Sequence, residues 1–320
     1  MNKTKQYNIK PLTTLICIEG PTASGKSALA LELSKLFDTE IVSADSRQVY
    51  KHLNIGTAKP DIHTLSEVKH HLIDIITPDK RYSAGAFIKD AKDIINNLHA
   101  QNKIPIICGG SMLYIKCLLE GISEIPEISK EIISKTNDFM KDNILVDCYQ
   151  FVQQIDPKFA NIISPTDKQR ISRAIEVWFA FGKPLTDFWG EQAENNYLPF
   201  KIYVNKDRNV LYDRINKRMR TMINNGLIEE IESVIKMGYK PSDCGLNSVG
   251  YKEFLDMVSH KNYDMLEQCI DLAAQHTRNY AKRQVTWYRK SEFNYVINGD
   301  DVNISLLKEN ILQYFSNHDV

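Results

Sequence analysis

The pattern of apolar and polar residues in the first 120 positions predicts short buried strands that alternate with helices. The apolar runs that predict strands are Leu15-Ile16-Cys17-Ile18, Ile41-Val42, and residues 72–76 and 104–108. An amphipathic helix is predicted after the turn at residues 19–25, and a second helix is predicted from the cap residue Ser83 to about Ala100. This alternation indicates an α/β fold with a mostly parallel sheet flanked by helices.

The pattern changes at about residue 121. Residues 121–199 predict consecutive helices separated by prolines, which indicates an all-helical insertion domain. Residues 200–320 predict a return to the α/β core of residues 1–120: Lys201-Ile202-Tyr203-Val204 predicts a strand, and long helices are predicted near 208–224, 227–237 and 263–290.

Composition adds two constraints. Lys+Arg and Asp+Glu balance at 40 each, so a polyanion must meet locally clustered charge rather than net charge. The six cysteines are scattered singly, and no apolar stretch is long enough to span a bilayer. We therefore expect buried reduced thiols, no membrane association and a cytoplasmic location.

The most specific local motif is a phosphate-binding loop between the first strand and the first helix. Gly20-Pro21-Thr22-Ala23-Ser24-Gly25-Lys26-Ser27 matches the pattern G-x-x-x-x-G-K-[ST]. The glycines allow backbone N–H groups to face phosphate oxygens, Lys26 supplies a positive charge, and the Ser27 hydroxyl can bind Mg²⁺. The motif predicts polyphosphate binding without indicating which polyphosphate.

Asp45 follows the second strand and is expected at the same edge of the sheet as the loop. It is either a base or hydrogen-bond acceptor beside the phosphates, or a cap of the next helix. Small-molecule kinases place an acid there too, so the first 50 residues do not separate a kinase from another transferase. The fourth strand ends in Gly109-Gly110-Ser111 rather than in the aspartate of an ATPase, which indicates a bulky group close to that backbone.

Three basic stretches favour RNA as a partner. They lie between Lys201 and Arg220, at Lys168-Gln169-Arg170-Ile171-Ser172-Arg173, and on the late helix at Arg278, Lys282, Arg283 and Arg289. Each alone could be a solvated helix face, but three in a chain without net charge favour contact with an RNA backbone.

These residues together resemble the tRNA dimethylallyltransferase (isopentenyltransferase) family of bacterial type, from about Leu15 to Arg289. The resemblance is carried by GPTASGKS at 20–27, SADSRQVY at 43–50, IGTAKP at 55–60, HHLIDI at 70–75, YSAGAF at 82–87, GGSMLY at 109–114, QRISRAIEV at 169–177, SVGYKE at 248–253 and AKRQVTWYR at 281–289. It implies a P-loop kinase-like core with an insertion that clamps the anticodon arm.

The resemblance also implies the chemistry. The loop would hold the diphosphate of dimethylallyl diphosphate with Mg²⁺, and the acceptor would be N6 of the adenosine just 3′ of the anticodon in tRNA. Asp45 matches the family's general base, and Arg218 matches an arginine beside the diphosphate. Ser111 stands where relatives often have threonine and would contact the tRNA substrate near the reaction centre. The family suggests a monomer. The segments that match tRNA contacts are Asp45, Ser46, Arg47 and Gln48; Gln169, Arg170, Ile171, Ser172 and Arg173; and Asn247, Ser248, Val249, Gly250, Tyr251 and Lys252.

Two other functions remain to be distinguished. An ATP-dependent small-molecule kinase would leave the basic helices without a role. A nucleotide-gated RNA-binding module would make Asp45 only a helix cap.

Overall fold

The computed structural model describes residues 13–123, 125–189, 197–300 and 302–318. The chain forms two compact units. One comprises Met1–Leu119 together with Asn196–Val320, and the other comprises Glu120–Asn195.

The first unit is built on one parallel sheet, as predicted. Within the described residues its strands are β1 (Thr14–Glu19), β2 (Ile41–Ser43), β3 (His70–His71), β4 (Ile106–Gly109), β5 (Leu198–Asn205) and β6 (Tyr295–Asn298). Their order in the sheet is β3-β2-β4-β1-β5-β6. Every neighbouring pair is parallel, so the carboxyl ends of β1, β2 and β4 lie at one edge.

Helices flank this sheet and make up the second unit. Those of the first unit are α1 (Lys26–Leu36), α2 (Ile62–Glu67), α3 (Ala84–Ala100), α4 (Met112–Glu120, which ends at the unit boundary), α9 (Arg208–Asn224), α10 (Leu227–Lys236), α11 (Leu255–His260), α12 (Leu266–Tyr288) and α13 (Ile304–His318). Those of the second unit are α5 (Lys130–Asp142), α6 (Leu145–Ile155), α7 (Pro157–Ala160) and α8 (Lys168–Phe181).

Local sequence explains several of these boundaries. Ser83 caps α3 by accepting a hydrogen bond from the N–H of Ala86. Asp207 caps α9 in the same way through the N–H of Asn209. Gly226, with φ +94°, takes the left-handed conformation that separates α9 from α10. The prediction of a helix near 208–224 is therefore confirmed.

The strand predicted at residues 72–76 is wrong. Pairing stops at His71, because Leu72 and Asp74 take positive φ values of 62° and 56°. Ile76 makes only an isolated bridge with Tyr50. The apolar run is a turn in which only Leu72 is buried, rather than a strand.

The core of the first unit lies on both faces of the sheet. In β1, Leu15 and Cys17 pack on one face, whereas Ile16 and Ile18 pack on the other. A third cluster joins α9 to α12 through residues such as Met219 and Ala273. The second unit has its own core around Val152 and Ile175.

The predicted state of the cysteines is correct for five of the six. Cys17, Cys108, Cys117, Cys148 and Cys269 are buried free thiols, and Cys244 is free but exposed. None of the helices in the described ranges has the length and apolar content needed to cross a bilayer.

Candidate active site

The loop between β1 and α1 has the geometry of a phosphate cradle. Ala23 and Gly25 take positive φ values of 65° and 100°. The loop closes through a hydrogen bond from the N–H of Ser24 to the carbonyl of Pro21 at 3.2 Å. A Cβ on Gly20 would lie 2.7 Å from the carbonyl oxygen of Val204, so only glycine fits there. Sequence and backbone therefore agree on this turn.

Two cations face the loop. Lys26 Nζ donates to the carbonyl of Pro21 at 3.1 Å, and Arg218 from α9 donates to Thr22 Oγ1 at 2.5 Å. Burial lowers the pKa of Lys26, while the nearby Cys108 and Asp45 raise it. Burial also lowers the pKa of Arg218, and Asp45 opposes that shift. The loop thus has two side-chain cations within electrostatic range of one carboxylate.

That carboxylate, Asp45, lies just beyond β2. Its Oδ1 accepts a hydrogen bond from the N–H of Arg47 at 2.8 Å, which fixes the turn after the strand. Burial raises the pKa of Tyr280 on α12 to about 12, and the negative charge of Asp45 contributes to that rise. The side chain therefore faces the loop and α12 together.

The loop, Asp45 and Arg218 line one cavity of about 240 Å³ within the first unit. Its polar wall also includes Ser27, Ser46, Arg47, Gln48, Thr57, Ser248 and Thr277. Its apolar wall comes from α9, through Ile215, Met219 and Met222. The cavity thus combines a cationic phosphate cradle, a carboxylate and an apolar surface.

Ser111 is placed behind this cavity wall. Its Oγ accepts a hydrogen bond from the N–H of Ser46 at 2.9 Å, and its N–H donates to the carbonyl of Ala44. A Cβ on Gly109 would lie 2.0 Å from that same Ala44 oxygen. The group close to Gly109 is therefore the backbone of Ala44, just beyond β2. Ser111 holds the turn that carries Asp45 in position.

A second loop, residues 54–58, completes the cavity and was not assigned a role from sequence. The carboxylate of Glu230 accepts hydrogen bonds from the N–H groups of Asn54 and Ile55. It also accepts from Tyr251 Oη at 2.6 Å. These contacts place Gly56 and Thr57 in the cavity wall. The sequence signal for this loop was the motif IGTAKP, which has no charged catalytic group to draw attention to it.

The segment 247–252 divides into exposed and enclosed residues. Asn247 and Lys252 are exposed, and Ser248 and Gly250 line the cavity from buried positions. Tyr251 has no exposed surface. Its side chain therefore supports the 54–58 loop rather than offering a surface to RNA.

The basic stretch of α12 presents cations to solvent. Lys282 and Arg283 are exposed and, with Asn279 and Thr286, border a shallow surface depression. The stretch before Arg220 is different, because Lys206 and Arg214 both pair with Asp300, and Arg218 faces the cavity. The late helix is thus the more available cationic surface of the two.

The segment 169–173 belongs to the second unit, at the start of α8. Gln169 and Arg170 are exposed, whereas Ile171 is fully buried in that unit's core. Arg170 pairs with Asp167 at 3.4 Å, and Arg173 pairs with Glu176 at 2.5 Å. The polar side chains of this segment are the ones open to a ligand.

The residues suited to a divalent metal are few. Ser27 is exposed in the cavity at the first turn of α1. In the described ranges, no three His, Cys, Asp or Glu side chains are grouped so that they could hold a metal ion. This donor set fits a hard cation such as Mg²⁺, which takes most of its oxygens from water and substrate phosphates.

Comparison with known proteins identifies a family model and relatives that match most of this chain. Residues 48–291 match the family model described as IPP transferase. The chain is 38% identical over 315 residues to a tRNA dimethylallyltransferase of Thermoanaerobacter sp. (strain X514), covering 94% of this chain and 97% of that protein. It is 40% identical over 278 residues to tRNA dimethylallyltransferase 2 of Geotalea daltonii, covering 86% and 85%.

Solved structures show the same similarity. A tRNA delta(2)-isopentenylpyrophosphate transferase from Staphylococcus epidermidis superposes with a TM-score of 0.66 and 32% identity, covering 96% of this chain and 99% of that one. A eukaryotic dimethylallyltransferase acting on tRNA superposes with a TM-score of 0.75 and 25% identity, covering 94% and 77%.

Proposed function

The chain belongs to the IPP transferase family, and from that premise we propose that it transfers a dimethylallyl group from dimethylallyl diphosphate to tRNA. The acceptor is N6 of the adenosine adjacent to the 3′ side of the anticodon, and diphosphate is released. The relatives support this function over the ATP-dependent kinase considered from the sequence.

The main support for the proposal is that the phosphate-binding loop and Asp45 share one cavity. Lys26, Thr22 and Arg218 line the same cavity as Asp45, so a diphosphate and a proton acceptor face one space. A donor held at the loop would present its allylic carbon toward the carboxylate. This is the arrangement that a transfer between diphosphate and amine requires.

Asp45 is the proposed general base. An adenine amino group is a weak nucleophile, since its lone pair is delocalised into the ring. As the bond from N6 to the allylic carbon forms, the carboxylate of Asp45 accepts the N6 proton. The bond from that carbon to the diphosphate oxygen breaks in the same exchange, and its electron pair leaves with the diphosphate.

The loop and α9 stabilise the leaving group. Negative charge develops on the bridging oxygen as the carbon–oxygen bond breaks. The backbone amides of the loop, Lys26 and Arg218 are fixed donors around that position and need no rearrangement during the reaction. Mg²⁺ held by the Ser27 hydroxyl would add charge neutralisation there. The apolar side chains of Ile215, Met219 and Met222 are suited to the dimethylallyl carbons.

The proposed RNA-binding residues are those of the matched segments that either reach solvent or line the cavity. On the first unit we assign Arg47, Gln48, Asn247, Lys252, Lys282 and Arg283 to tRNA contacts, together with the cavity-wall residues Ser46, Ser248, Val249 and Gly250 near the extruded base. On the second unit we assign Gln169, Arg170, Ser172 and Arg173. Flipping the base costs a few kcal/mol, and it costs least in a loop that is already unpaired.

We propose that the protein acts as a cytoplasmic monomer.

A direct assay tests the proposal. Purified protein with Mg²⁺ is given radiolabelled dimethylallyl diphosphate and unmodified tRNA, and label in the RNA is counted. Incorporation at the adenosine 3′ of the anticodon is expected. Absence of label in RNA with folded protein would refute the function, and ATP consumption with a small alcohol would support a kinase instead.

A further inference from the structure

A fully buried glutamine, Gln284, connects the donor side of the cavity to the acceptor side. Its side chain lies on the inner face of α12 and has no exposed surface. Gln284 Oε1 accepts a hydrogen bond from the N–H of Thr22 at 2.9 Å. Gln284 Nε2 donates to the carbonyl of Gly110, also at 2.9 Å. One side-chain amide therefore bonds to both the P-loop and the turn after β4.

Each of these two bonds is made to a segment that contacts a proposed site residue or its neighbour. On the donor side, Thr22 Oγ1 accepts the hydrogen bond from Arg218. On the acceptor side, Gly110 precedes Ser111, whose Oγ accepts from the N–H of Ser46. Ser46 is the residue after Asp45. Arg218 and Asp45 are thus connected through Gln284 by four hydrogen bonds and the short covalent segments Thr22, Gly110–Ser111 and Asp45–Ser46.

The surroundings of Gln284 leave little room for adjustment. A Cβ added to Gly110 would lie 2.6 Å from Gln284 Nε2. Tyr280, one turn earlier on α12, donates a second hydrogen bond to the same Gly110 carbonyl at 3.1 Å. A buried amide must have its hydrogen bonds satisfied, and here both of its polar atoms are satisfied by backbone of the two catalytic loops.

From this geometry we propose that Gln284 is a positioning residue for the transfer reaction. It fixes the separation between the Thr22–Arg218 pair, which receives the diphosphate, and the turn that carries Asp45. The bond to Thr22 also orients the P-loop, since it ties that backbone N–H to α12. This inference rests on the proposed function, because it concerns the rate of the same transfer.

The first test replaces Gln284 by a side chain of similar size without hydrogen bonds. In single-turnover reactions saturated with donor and tRNA, Gln284→Met is expected to slow transfer roughly 100-fold, the effect of a misplacement of about 1 Å. The tRNA dissociation constant is expected to stay unchanged. Gln275→Met, an exposed position on the same helix, is the matched control and should transfer at the wild-type rate.

A double-mutant cycle separates positioning from a general loss of stability. Thr22→Val removes the hydroxyl that accepts from Arg218. If Gln284 acts through Thr22, this substitution will cost much less rate in the Gln284→Met background than in the wild type. Equal costs in the two backgrounds would overturn the proposal. Gln284→Glu keeps the size and the acceptor for Thr22, and an intermediate rate is expected.

The wild-type protein provides a test that does not depend on a variant folding. The Thr22 amide should exchange slowly with solvent in the ligand-free protein, because Gln284 holds it. Rapid exchange of that amide, or a wild-type rate in folded Gln284→Met, would overturn the positioning role. A wild-type enzyme that fails to label tRNA would instead overturn the proposed function itself, so the two failures are distinguishable.

Discussion

The two carboxylate oxygens of Asp45 are used differently. Oδ1 accepts the N–H of Arg47 and fixes the turn after β2, whereas the hydrogen bonds found among the described residues leave Oδ2 unused. The sequence offered a cap and a base as alternatives for this residue. The helix-cap alternative is wrong, because the next helix, α2, begins at Ile62 and is capped by Asp61. Oδ1 of Asp45 fixes a turn instead, and the proposed role of base falls to Oδ2.

Replacing Asp45 by asparagine tests this division. The asparagine side chain retains an oxygen for the N–H of Arg47 but lacks the basicity of the carboxylate. Asp45→Asn is therefore expected to slow single-turnover transfer by roughly 10²–10⁴, the range for a positioned base, and to bind tRNA nearly normally. Weak tRNA binding with a normal rate of transfer would contradict the role of base.

Arg218 is expected to act on the leaving group. Arg218→Ala removes a cation that lies at the loop, so transfer at saturating donor should fall by roughly 10²–10³. Arg220→Ala is the control, because Arg220 is exposed and pairs with Glu267. If Arg218→Ala lowers only the affinity for tRNA, this side chain contacts the RNA and not the diphosphate.

The helix α12 presents different chemistry on its two faces. Its inner face carries Tyr280, which lines the cavity, and the fully buried Gln284. Its outer face carries Lys282 and Arg283 toward solvent. An RNA backbone bound to the outer face would release counterions, so affinity would depend on salt.

Removing these outer charges should reduce that dependence. Lys282→Gln combined with Arg283→Gln is expected to reduce the slope of log K against log salt by about 1 for each phosphate that the helix no longer neutralises. The measurement is tRNA binding across a salt series, with Lys236→Gln on α10 as an exposed control. An unchanged slope would mean that this face is only solvated.

The sequence predicted strands β1, β2, β4 and β5 because their signals are local, but it did not predict β6. The helix α9 was predicted from residues 208–224 and has those bounds, since periodicity and caps lie within the segment itself. The strand predicted at 72–76 failed for a long-range reason. Asp74 accepts a hydrogen bond from Lys59 at 2.5 Å, and the backbone turns there instead of remaining extended.

The residues of the candidate site could be predicted where they belong to a recognisable sequence motif. They could not be predicted where their position depends on packing between distant segments. The loop at 20–27 and Asp45 were found from their positions after strands. Gln284 was not, because a glutamine in a basic helix gives no sign that it is buried. The carboxylate of Glu230 was missed for the same reason, as its partners at Asn54 and Ile55 are far away in sequence.

At the scale of the whole molecule, the sheet buries one carboxyl group beside the cradle. Glu19 ends β1, is 4% exposed, and has an oxygen without a hydrogen-bond partner among the described residues. Burial raises the pKa of Glu19 to about 7, and Lys201 partly opposes the shift. The folded protein therefore holds a proton that the unfolded chain releases near its usual pKa of 4.5.

This shift predicts a loss of stability as pH rises. Between the two pKa values the folded state binds more protons, so the free energy of unfolding falls as pH rises from 4.5 to about 7. Glu19→Gln removes this titrating group. Between pH 5 and pH 8 the free energy of unfolding of the variant should therefore rise by about 2 kcal/mol relative to that of the wild type. Denaturant unfolding at both pH values measures the gain. Glu309→Gln, at an exposed position on α13, should show none.

The order of the elements along the chain also bears on how the protein is synthesised. The ribosome delivers the phosphate loop and Asp45 before Arg218, and Arg218 before Gln284. A polypeptide that stops before α12 would lack the helix that holds both loops together. Termination before α12 should therefore yield an inert fragment and not a poorly controlled alkylating enzyme, since chemical competence arrives only with that helix.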